Sequence, residues 1–275
     1  MTVAIHDRHA AIREHGQAAQ GVQIVEGLRE LFAGADPAQY VKVLDKVFSK
    51  VDGAWATKAA IDIAMHDWAA KRLGVPLWKM WGLDAKDAPV TTFSIGIDTA
   101  EVIRRKVREA AAYPVLKIKV GLANDEEVME AVRAETKKPL RVDANEGWKT
   151  VDEAVAKIKW LEKQGVEFIE QPLPASMYKE IGEVRKRVNL PIFADECCLH
   201  PEDIPKIAPY FDGVNIKVDK AGGLHQAMRM IEMARALKLK IMVGCMVSSS
   251  LAVTAAAQLS PLIDYADLDG NLLIK

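Results

Sequence analysis

Residues 139–172, PLRVDANEGWKTVDEAVAKIKWLEKQGVEFIEQP, contain one full repeat of the pattern that decides the fold. The runs 139–145 and 166–172 are rich in apolar and β-branched residues, which is typical of strands buried on both faces. Between them, 150–165 has the spacing of an amphipathic helix, and Thr150 is suited to its start. Similar apolar runs occur at 89–96, 115–120, 190–196, 213–218, 240–246 and 262–270.

Eight such runs alternate with seven helical patterns, and this alternation favours a parallel sheet. Alternation alone leaves two architectures open, an open doubly wound sheet and a closed barrel. Polar residues at the carboxyl ends of the runs recur every 22 to 27 residues, which brings them to one rim of a barrel. We therefore predict an α/β fold, a (β/α)7β TIM-type barrel over residues 89–275. The rim positions are Lys119, Asp143, Glu170, Asp195, Lys217, Gly244 and Asp269.

Residues 1–88 follow a different pattern and are predicted to form a separate, mainly helical domain. Amphipathic spacing predicts helices at 25–34, 38–48 and 57–74, and PLWKMWGL (76–83) is predicted to be an apolar connection. Because no low-complexity linker separates this part from the barrel, we expect the two parts to pack tightly.

The composition argues against several classes of function. The 275 residues include 37 basic and 38 acidic side chains, a net charge of −1, so no basic excess points to nucleic acid or to an anionic membrane surface. No apolar run reaches the length of about 18 residues that a membrane-spanning helix needs. The polar N-terminus and three cysteines without CxxC spacing predict a reducing, cytoplasmic location.

Three carboxylates, Asp143, Glu170 and Asp195, lie at the ends of three consecutive predicted strands. Like charges gathered at one rim repel each other, and a hard divalent cation removes that cost. Ligands that are all oxygen favour Mg²⁺, and the lack of nearby Cys and His spacing argues against zinc. We therefore predict one Mg²⁺ site. For any single carboxylate, a solvated loop residue or a helix N-cap is the alternative.

Lysines are predicted on two opposite strands of the same barrel. Strand alternation places Lys117 and Lys119 on one face and Ile118 on the other, and Lys217 ends the sixth strand. Exposure to solvent at the strand ends is the alternative. Amines on both sides of one point predict removal and return of a proton α to a carboxylate, which inverts the carbon. A lysine base needs a lowered pKa, which burial and neighbouring positive charge would provide.

Five strand-end motifs are weak singly and specific in combination. Together they resemble the muconate-lactonizing subgroup of the enolase superfamily, over residues 23 to 275. The predicted seventh strand ends without the histidine that the mandelate-racemase subgroup would show. The motifs are Lys117-Ile118-Lys119, Asp143-Ala144-Asn145, Glu170-Gln171-Pro172, Ala194-Asp195-Glu196 and Asn215-Ile216-Lys217.

The resemblance implies a role for each rim residue. Lys119 and Lys217 would be the acid/base pair, and Lys117 would bind the substrate carboxylate and lower the pKa of its neighbour. One Mg²⁺ would be bound by Asp143, Glu170 and Asp195; Asn145, Gln171 and Glu196 would surround it, and Lys220 would be structural.

Asp267-Leu268-Asp269-Gly270 resembles the Asp-x-Asp motif of dipeptide epimerases such as L-Ala-D/L-Glu epimerases. Two carboxylates on one strand face can bind the free α-ammonium group of a dipeptide. The alternative is an Asp-rich turn. Met246 is expected near the far end of the substrate. We therefore expect Mg²⁺-dependent epimerisation of a dipeptide, with N-succinylamino acid racemase or o-succinylbenzoate synthase activity as the alternative within the subgroup.

Members of this subgroup begin with a β-rich capping segment and continue past the eighth strand. The resemblance therefore implies that this chain is truncated at both ends and keeps only the helical part of the capping domain. A catalytically inactive barrel or a binding module is the alternative from another class of function. Assembly into a homo-oligomer is a further expectation.

Overall fold

Eight parallel strands form one sheet in chain order in the computed structural model, which describes residues 19–274. Residues 1–18, which hold the predicted polar N-terminus, and Lys275 lie outside the described residues. A parallel bridge between Thr91 and Ala266 joins the two edge strands, so the predicted barrel is confirmed. The strands are β1 (Phe93–Ile95), β2 (Leu116–Lys119), β3 (Leu140–Asp143), β4 (Val166–Glu170), β5 (Ile192–Ala194), β6 (Gly213–Lys217), β7 (Lys240–Gly244) and β8 (Tyr265–Asp267).

Helices precede the barrel and connect its strands. The predicted helix at 25–34 is divided at Leu28, and the predicted connection at 76–83 contains a one-turn helix. The helices are α1 (19–27), α2 (Arg29–Ala33), α3 (Tyr40–Lys50), α4 (Trp55–Leu73), α5 (Leu77–Met80), α6 (Ala100–Glu109), α7 (Asp125–Glu135), α8 (Val151–Glu162), α9 (Ile181–Arg185), α10 (Ile204–Ile207), α11 (Val218–Ala221), α12 (Leu224–Ala236) and α13 (Ser250–Ala257).

Helix α8 shows how local sequence produces these elements. Thr150 Oγ1 accepts a hydrogen bond from Glu153 N at 3.1 Å, and Lys149 N donates to Glu153 Oε2 at 2.8 Å. Two backbone N–H groups at the helix start therefore find side-chain acceptors, which stabilises the first turn. Gly165 separates the end of this helix from β4, as its position in the sequence predicts.

Alternation along the strands separates the outside of the barrel from its inside. Leu116 and Ile118 belong to the main apolar core between sheet and helices, and Lys117 and Lys119 point to the barrel interior. Near the amino-terminal ends of the strands, the interior is filled by a cluster that we call the floor. The floor consists of Arg141, Phe168, Phe193, Met242 and Tyr265.

The floor is an aromatic cluster around a buried arginine. The Phe168 and Phe193 rings are stacked with centroids 4.3 Å apart, and the Arg141 guanidinium carbon lies 4.7 Å from the Tyr265 ring centroid. Arg141 Nε also donates to Glu167 Oε2 at 2.9 Å. These side chains pack inside the barrel, and the interior lysines and carboxylates lie toward the carboxyl ends of the strands.

Helix α4 attaches the capping helices to the barrel through a buried carboxylate. Asp62 is fully buried and accepts hydrogen bonds from Leu224 N at 2.7 Å and from His225 N at 3.2 Å, at the start of α12. His66 Nδ1 lies 3.1 Å from Asp62 Oδ1 and is itself buried. The tight packing expected between the two parts of the chain is therefore observed.

We expect replacement of His66 with glutamine to reduce the pH dependence of stability. Burial alone would lower the pKa of His66, but the hydrogen bond and charge of Asp62 outweigh burial and raise that pKa above its ordinary value of 6.5. A raised pKa contributes stability that is complete below pH 6.5 and is lost as the pH rises through the folded value. Urea unfolding of wild type and His66→Gln measures this difference, which is at most about 1.4 kcal/mol per pH unit.

Below pH 6 the unfolding free energies of the two proteins should run parallel, because His66 is charged in both the folded and the unfolded wild type. Parallel curves above pH 6.5 as well would contradict the prediction.

Within residues 19–274, no helix has both the length and the apolar composition needed to cross a membrane. Cys197, Cys198 and Cys245 are all free thiols.

Candidate active site

Lys117 lies at the centre of the rim cluster. Only 2% of this residue is exposed, and its Nζ lies 2.6 Å from Glu170 Oε2, 2.7 Å from Asp267 Oδ2 and 3.0 Å from Asp143 Oδ2. Burial alone would lower the pKa of Lys117, but the three carboxylates outweigh burial and raise its pKa well above 10.5. This side chain is therefore a permanent positive charge at neutral pH.

Lys119 lies on the same side of the cluster and shares a carboxylate with Lys117. Its Nζ donates to Asp143 Oδ2 at 2.6 Å and to Asn145 Oδ1 at 2.9 Å, and 31% of its side chain is exposed. Burial would raise the pKa of Asp143, but the two lysine charges outweigh it and hold that pKa well below its ordinary range. Asp143 is therefore ionised throughout the physiological range.

A second lysine–carboxylate pair lies on the other side of the barrel. Lys217 Nζ donates to Asp195 Oδ2 at 2.6 Å, and Lys220 Nζ donates to Asp195 Oδ1 at 3.1 Å. Burial would raise the pKa of Asp195, but the two lysines lower it to about 2. Burial would lower the pKa of Lys217, but Asp195 and Glu170 raise it above 10.5. The lowered pKa predicted for a lysine base included the positive charge of a bound metal ion, so it stays a prediction.

Excess negative charge collects at Glu170 and Glu196. Burial, followed by the charge of Asp143, raises the pKa of Glu170 to about 7, and burial, followed by the charge of Asp195, raises the pKa of Glu196 to about 8. The Oε2 atoms of both glutamates are buried without a hydrogen-bond donor in good geometry, although Lys117 is an ion-pair partner of Glu170. A further positive charge at this position would therefore be favourable.

Among residues 19–274, no three His, Cys, Asp or Glu side chains converge in a group arranged to hold a metal ion. The three predicted ligands are instead turned toward ammonium groups, Asp143 and Glu170 toward Lys117 and Asp195 toward Lys217. They lie at the ends of neighbouring strands, as predicted. Their role as metal ligands remains a prediction.

The backbone leaves β3 and β4 in the left-handed region, where residues other than glycine are uncommon. The φ angles are +42° at Asn145, +63° at Glu146 and +36° at Gln171. Gln171 Oε1 accepts from Asp195 N at 3.0 Å, and its Nε2 donates to the Leu173 carbonyl at 2.9 Å. The left-handed conformation at Gln171 therefore positions its side-chain amide, which binds the backbone N–H of Asp195 at the end of β5.

The two acids of the eighth strand take different positions. Asp267 ends β8 and accepts from Thr92 Oγ1 at 2.5 Å as well as from Lys117. Asp269 lies two residues beyond β8 and accepts from Ser94 N at 2.6 Å. The expectation that both lie on one strand is wrong for Asp269, because a 3-10 helix begins at Gly270 and the chain turns before it.

Met246 lies two residues beyond β7, is partly exposed, and packs by its backbone against Gly270 beside Asp269. Two further contacts were not predicted. Asn215 Nδ2 donates to Glu170 Oε1 at 2.7 Å, and Lys220 shares Asp195 with Lys217. Asn215 could have been found, because it lies two residues before Lys217 and alternation puts both on one face. The Lys220 contact depends on the turn after β6.

Two known protein families match the chain, one in the capping region and one in the barrel. Residues 98–269 match the family described as "Enolase C-terminal domain-like", and residues 11–82 match "Mandelate racemase / muconate lactonizing enzyme, N-terminal domain". The chain is a member of the enolase superfamily. This confirms the family that the strand-end motifs resemble.

Similar enolase superfamily members include epimerases. An L-Ala-D/L-Glu epimerase of Bacteroides thetaiotaomicron is 45% identical over 242 residues, which cover 88% of this chain and 63% of that protein. The chain therefore spans less than two thirds of this relative. The crystal structure of a dipeptide epimerase from Enterococcus faecalis, complexed with Mg and the dipeptide L-Leu-L-Tyr, is 31% identical with a TM-score of 0.85, covering 92% of this chain and 74% of that one.

A second kind of enzyme has a similar structure. An N-succinyl Arg/Lys racemase from Bacillus cereus is 28% identical with a TM-score of 0.81, and the match covers 87% of this chain and 68% of that one. Likeness of the barrel therefore does not by itself separate dipeptides from N-acylated amino acids.

Proposed function

We propose that this enolase superfamily member catalyses the Mg²⁺-dependent epimerisation of dipeptides such as L-Ala-D/L-Glu. One observation supports this most strongly: Lys119 and Lys217 end opposite strands, β2 and β6, and each Nζ lies 2.6 Å from its own carboxylate. Amines on opposite sides of one point can remove a proton from one face of a carbon and return it to the other.

The buried carboxylates fit a small, hard cation. Glu170 Oε2 has an ion-pair partner only in Lys117, which it shares with two other carboxylates, and the raised pKa of Glu170 indicates negative charge that the lysines do not fully compensate. A donor set of oxygen atoms favours Mg²⁺. We propose that Asp143, Glu170 and Asp195 hold one ion, as the Mg complex of the Enterococcus faecalis relative also suggests. When bound, the ion supplies positive charge beside the substrate carboxylate.

The three lysines would then have different roles in the reaction. Lys117 has three carboxylate partners and stays charged, so it is suited to binding a substrate carboxylate and not to exchanging protons. Without metal, Lys217 is paired with Asp195 and carries the proton that it would return to carbon; an ion on Asp195 would weaken this pairing and lower the pKa of Lys217, so that it could also act as the base. Lys119 is the more exposed of the proposed acid/base pair, with 31% of its side chain exposed against 8% for Lys217.

Asp269 is the proposed binding site for the α-ammonium group of the dipeptide. Asp267 is already paired with Lys117, whereas the hydrogen bond that Asp269 receives comes from the uncharged N–H of Ser94. Burial and the charge of Asp267 raise the pKa of Asp269, and a substrate ammonium would relieve both effects. Met246 lies beside this position and is proposed to contact the substrate.

The proposal is tested by following α-protons in D₂O by ¹H NMR. The chain is incubated with Mg²⁺ and a panel of dipeptides that includes L-Ala-L-Glu, and we expect loss of one α-proton signal together with appearance of the epimer. Exchange with N-succinylamino acids and with no dipeptide would favour the racemase activity of the Bacillus cereus neighbour instead. Mg²⁺ binding without exchange on either panel would indicate an inactive barrel.

We expect Asp269→Asn to weaken activity on dipeptides selectively. A hydrogen bond to a charged group contributes about 1.5–3 kcal/mol, so kcat/KM for a dipeptide should fall about 10- to 100-fold. Exchange on N-acylated amino acids should not change. Asp264→Asn is the matched control, since Asp264 is exposed and pairs with Lys240 at the far end of the barrel. Equal losses on both substrate classes would argue against this role.

Three further predictions belong to the proposed function. We propose that the capping domain covers residues 1–88 and the barrel 89–275, which the separate family matches at 11–82 and 98–269 support. A cytoplasmic location is supported by the three free thiols. Assembly into a homo-oligomer remains a prediction.

A further inference from the structure

Two consecutive glycines follow Lys217 after one short helix, and the capping helices hold both. Their φ angles are +94° at Gly222 and +134° at Gly223, values that side chains rarely allow. A Cβ on Gly222 would lie 3.0 Å from the Phe48 ring and 3.1 Å from the Trp55 ring. The backbone therefore passes directly against α3 and the start of α4.

Asp62 holds the second of these glycines. A Cβ on Gly223 would lie 2.3 Å from the Asp62 Cγ, so only glycine lets the chain approach this carboxylate. The same carboxylate accepts from Leu224 N at 2.7 Å and from His225 N at 3.2 Å. A negative charge at the start of a helix of 13 residues is electrostatically favourable. The turn is thus fixed from both sides by residues outside the barrel.

Only a short segment separates this glycine turn from Lys217, the proposed acid/base lysine. Lys217 ends β6, α11 follows without a break, and Gly222 N and Gly223 N both donate to the Val218 carbonyl, at 3.1 and 2.9 Å. Within α11, Lys220 donates to the same Asp195 that Lys217 contacts. Movement of this turn would therefore shift both lysines relative to Asp195.

We propose that Asp62 is a positioning residue for Lys217, acting from the capping region through the Gly222–Gly223 turn. It does not touch the rim cluster. Its effect on catalysis rests on the proposed function, but its effect on the position of Lys217 does not. If Asp62 had a purely structural role, its replacement would destabilise the protein without affecting Lys217 more than Lys119.

The position of Lys217 is measured without substrate, by NMR of the protein labelled with ¹⁵N-lysine. In Asp62→Asn we expect the backbone amide signals of Lys217 and Lys220 to shift, and the signals of Lys117 and Lys119 to stay in place. The control is Asp67→Asn on the same helix, since the Asp67 side chain is 52% exposed and pairs with Lys71. An unchanged Lys217 signal in Asp62→Asn would overturn the proposal.

The catalytic consequence is measured on each epimer separately. Asp62→Asn should slow α-exchange about 10- to 100-fold for the epimer whose exchange needs Lys217, as expected for a small displacement of a reacting group. Exchange of the other epimer should change less than about twofold, because Lys119 lies on the far side of the barrel. Equal slowing of both epimers would overturn the proposal in favour of a structural role.

Asp125→Asn tests the same idea on the Lys119 side of the barrel. Asp125 is buried in α7 and accepts from Gly121 N at 2.7 Å, Leu122 N at 2.9 Å and Trp148 Nε1 at 3.0 Å. These contacts fix the loop directly after Lys119, so this variant should slow the opposite epimer. The same preference in both variants would contradict a side-specific effect.

Two outcomes keep the inference separate from the proposed function. A wild-type protein that exchanges no dipeptide would refute the proposed function, and the Lys217 amide signal would still decide the positioning role.

If Asp62→Asn does not fold, Phe48→Leu loosens the same turn from the Gly222 side, and Phe48 is only partly buried. It should shift the same two lysine signals by less, and unchanged signals would overturn the proposal.

Discussion

Lys217→Ala is expected to abolish epimerisation and yet leave α-proton exchange intact for one of the two epimers, and Lys119→Ala is expected to do the same for the other. Each lysine ends a strand on its own side of the barrel, β2 or β6, and is proposed to reach one face of the substrate carbon. Loss of a general acid or base typically lowers a rate by about 10²- to 10⁴-fold. Interconversion should fall by that factor in both variants.

The measurement is the loss of α-proton signal in D₂O, recorded for each pure epimer. Lys159→Ala, an exposed lysine on α8, is the control and should keep wild-type rates. If both variants lost exchange with the same epimer, the two lysines could not lie on opposite faces of the substrate. Undiminished interconversion in either variant would remove that lysine from the acid/base pair.

Glu170→Gln is expected to remove Mg²⁺ binding while leaving the metal-free fold intact. The substitution takes one carboxylate from the centre of the proposed ligand set, so affinity should fall by more than the 10- to 100-fold typical of residues that only surround a metal. Burial and Asp143 raise the pKa of Glu170 to about 7, so ionisation of Glu170 costs the metal-free folded protein stability, and this cost is complete above that pH. The variant should therefore lose no stability at pH 8 without metal.

Thermal unfolding with and without Mg²⁺ measures both effects, because a ligand that binds only the folded state raises Tm. Glu196→Gln is a close control, since Glu196 is half-buried, burial and the charge of Asp195 raise its pKa to about 8, and we propose no ligand role for it. Wild type and Glu196→Gln should gain stability with Mg²⁺, and Glu170→Gln should not. Equal responses of the two variants would reject Glu170 as a ligand.

Much of the rim could be predicted because two simple rules are sufficient. Parallel strands in a barrel bring their carboxyl ends to one rim, and alternation decides which side chains point inward. These rules placed Asp143, Glu170 and Lys217 on neighbouring or opposite strands, and they separated Lys117 from Ile118. Both rules need only the period of the sequence, which tertiary packing does not change.

Contacts that depend on turns could not be predicted in the same way. Lys220 reaches Asp195 because α11 begins immediately after β6, and Asp269 leaves the strand because a 3-10 helix follows. The raised pKa of Lys217 depends on a distance of 2.6 Å to Asp195, which no spacing in the sequence reveals. Asp62 was not predicted either, because its partners lie more than 160 residues away in the chain.

The floor of Arg141 and its aromatic neighbours occupies one end of the barrel interior, so the interior is open at the other end. The proposed substrate would therefore enter and leave where the strands end, because packed side chains occupy the other end of the interior. Substitutions of the proposed substrate-binding residues at the rim therefore leave the aromatic packing of the floor in place.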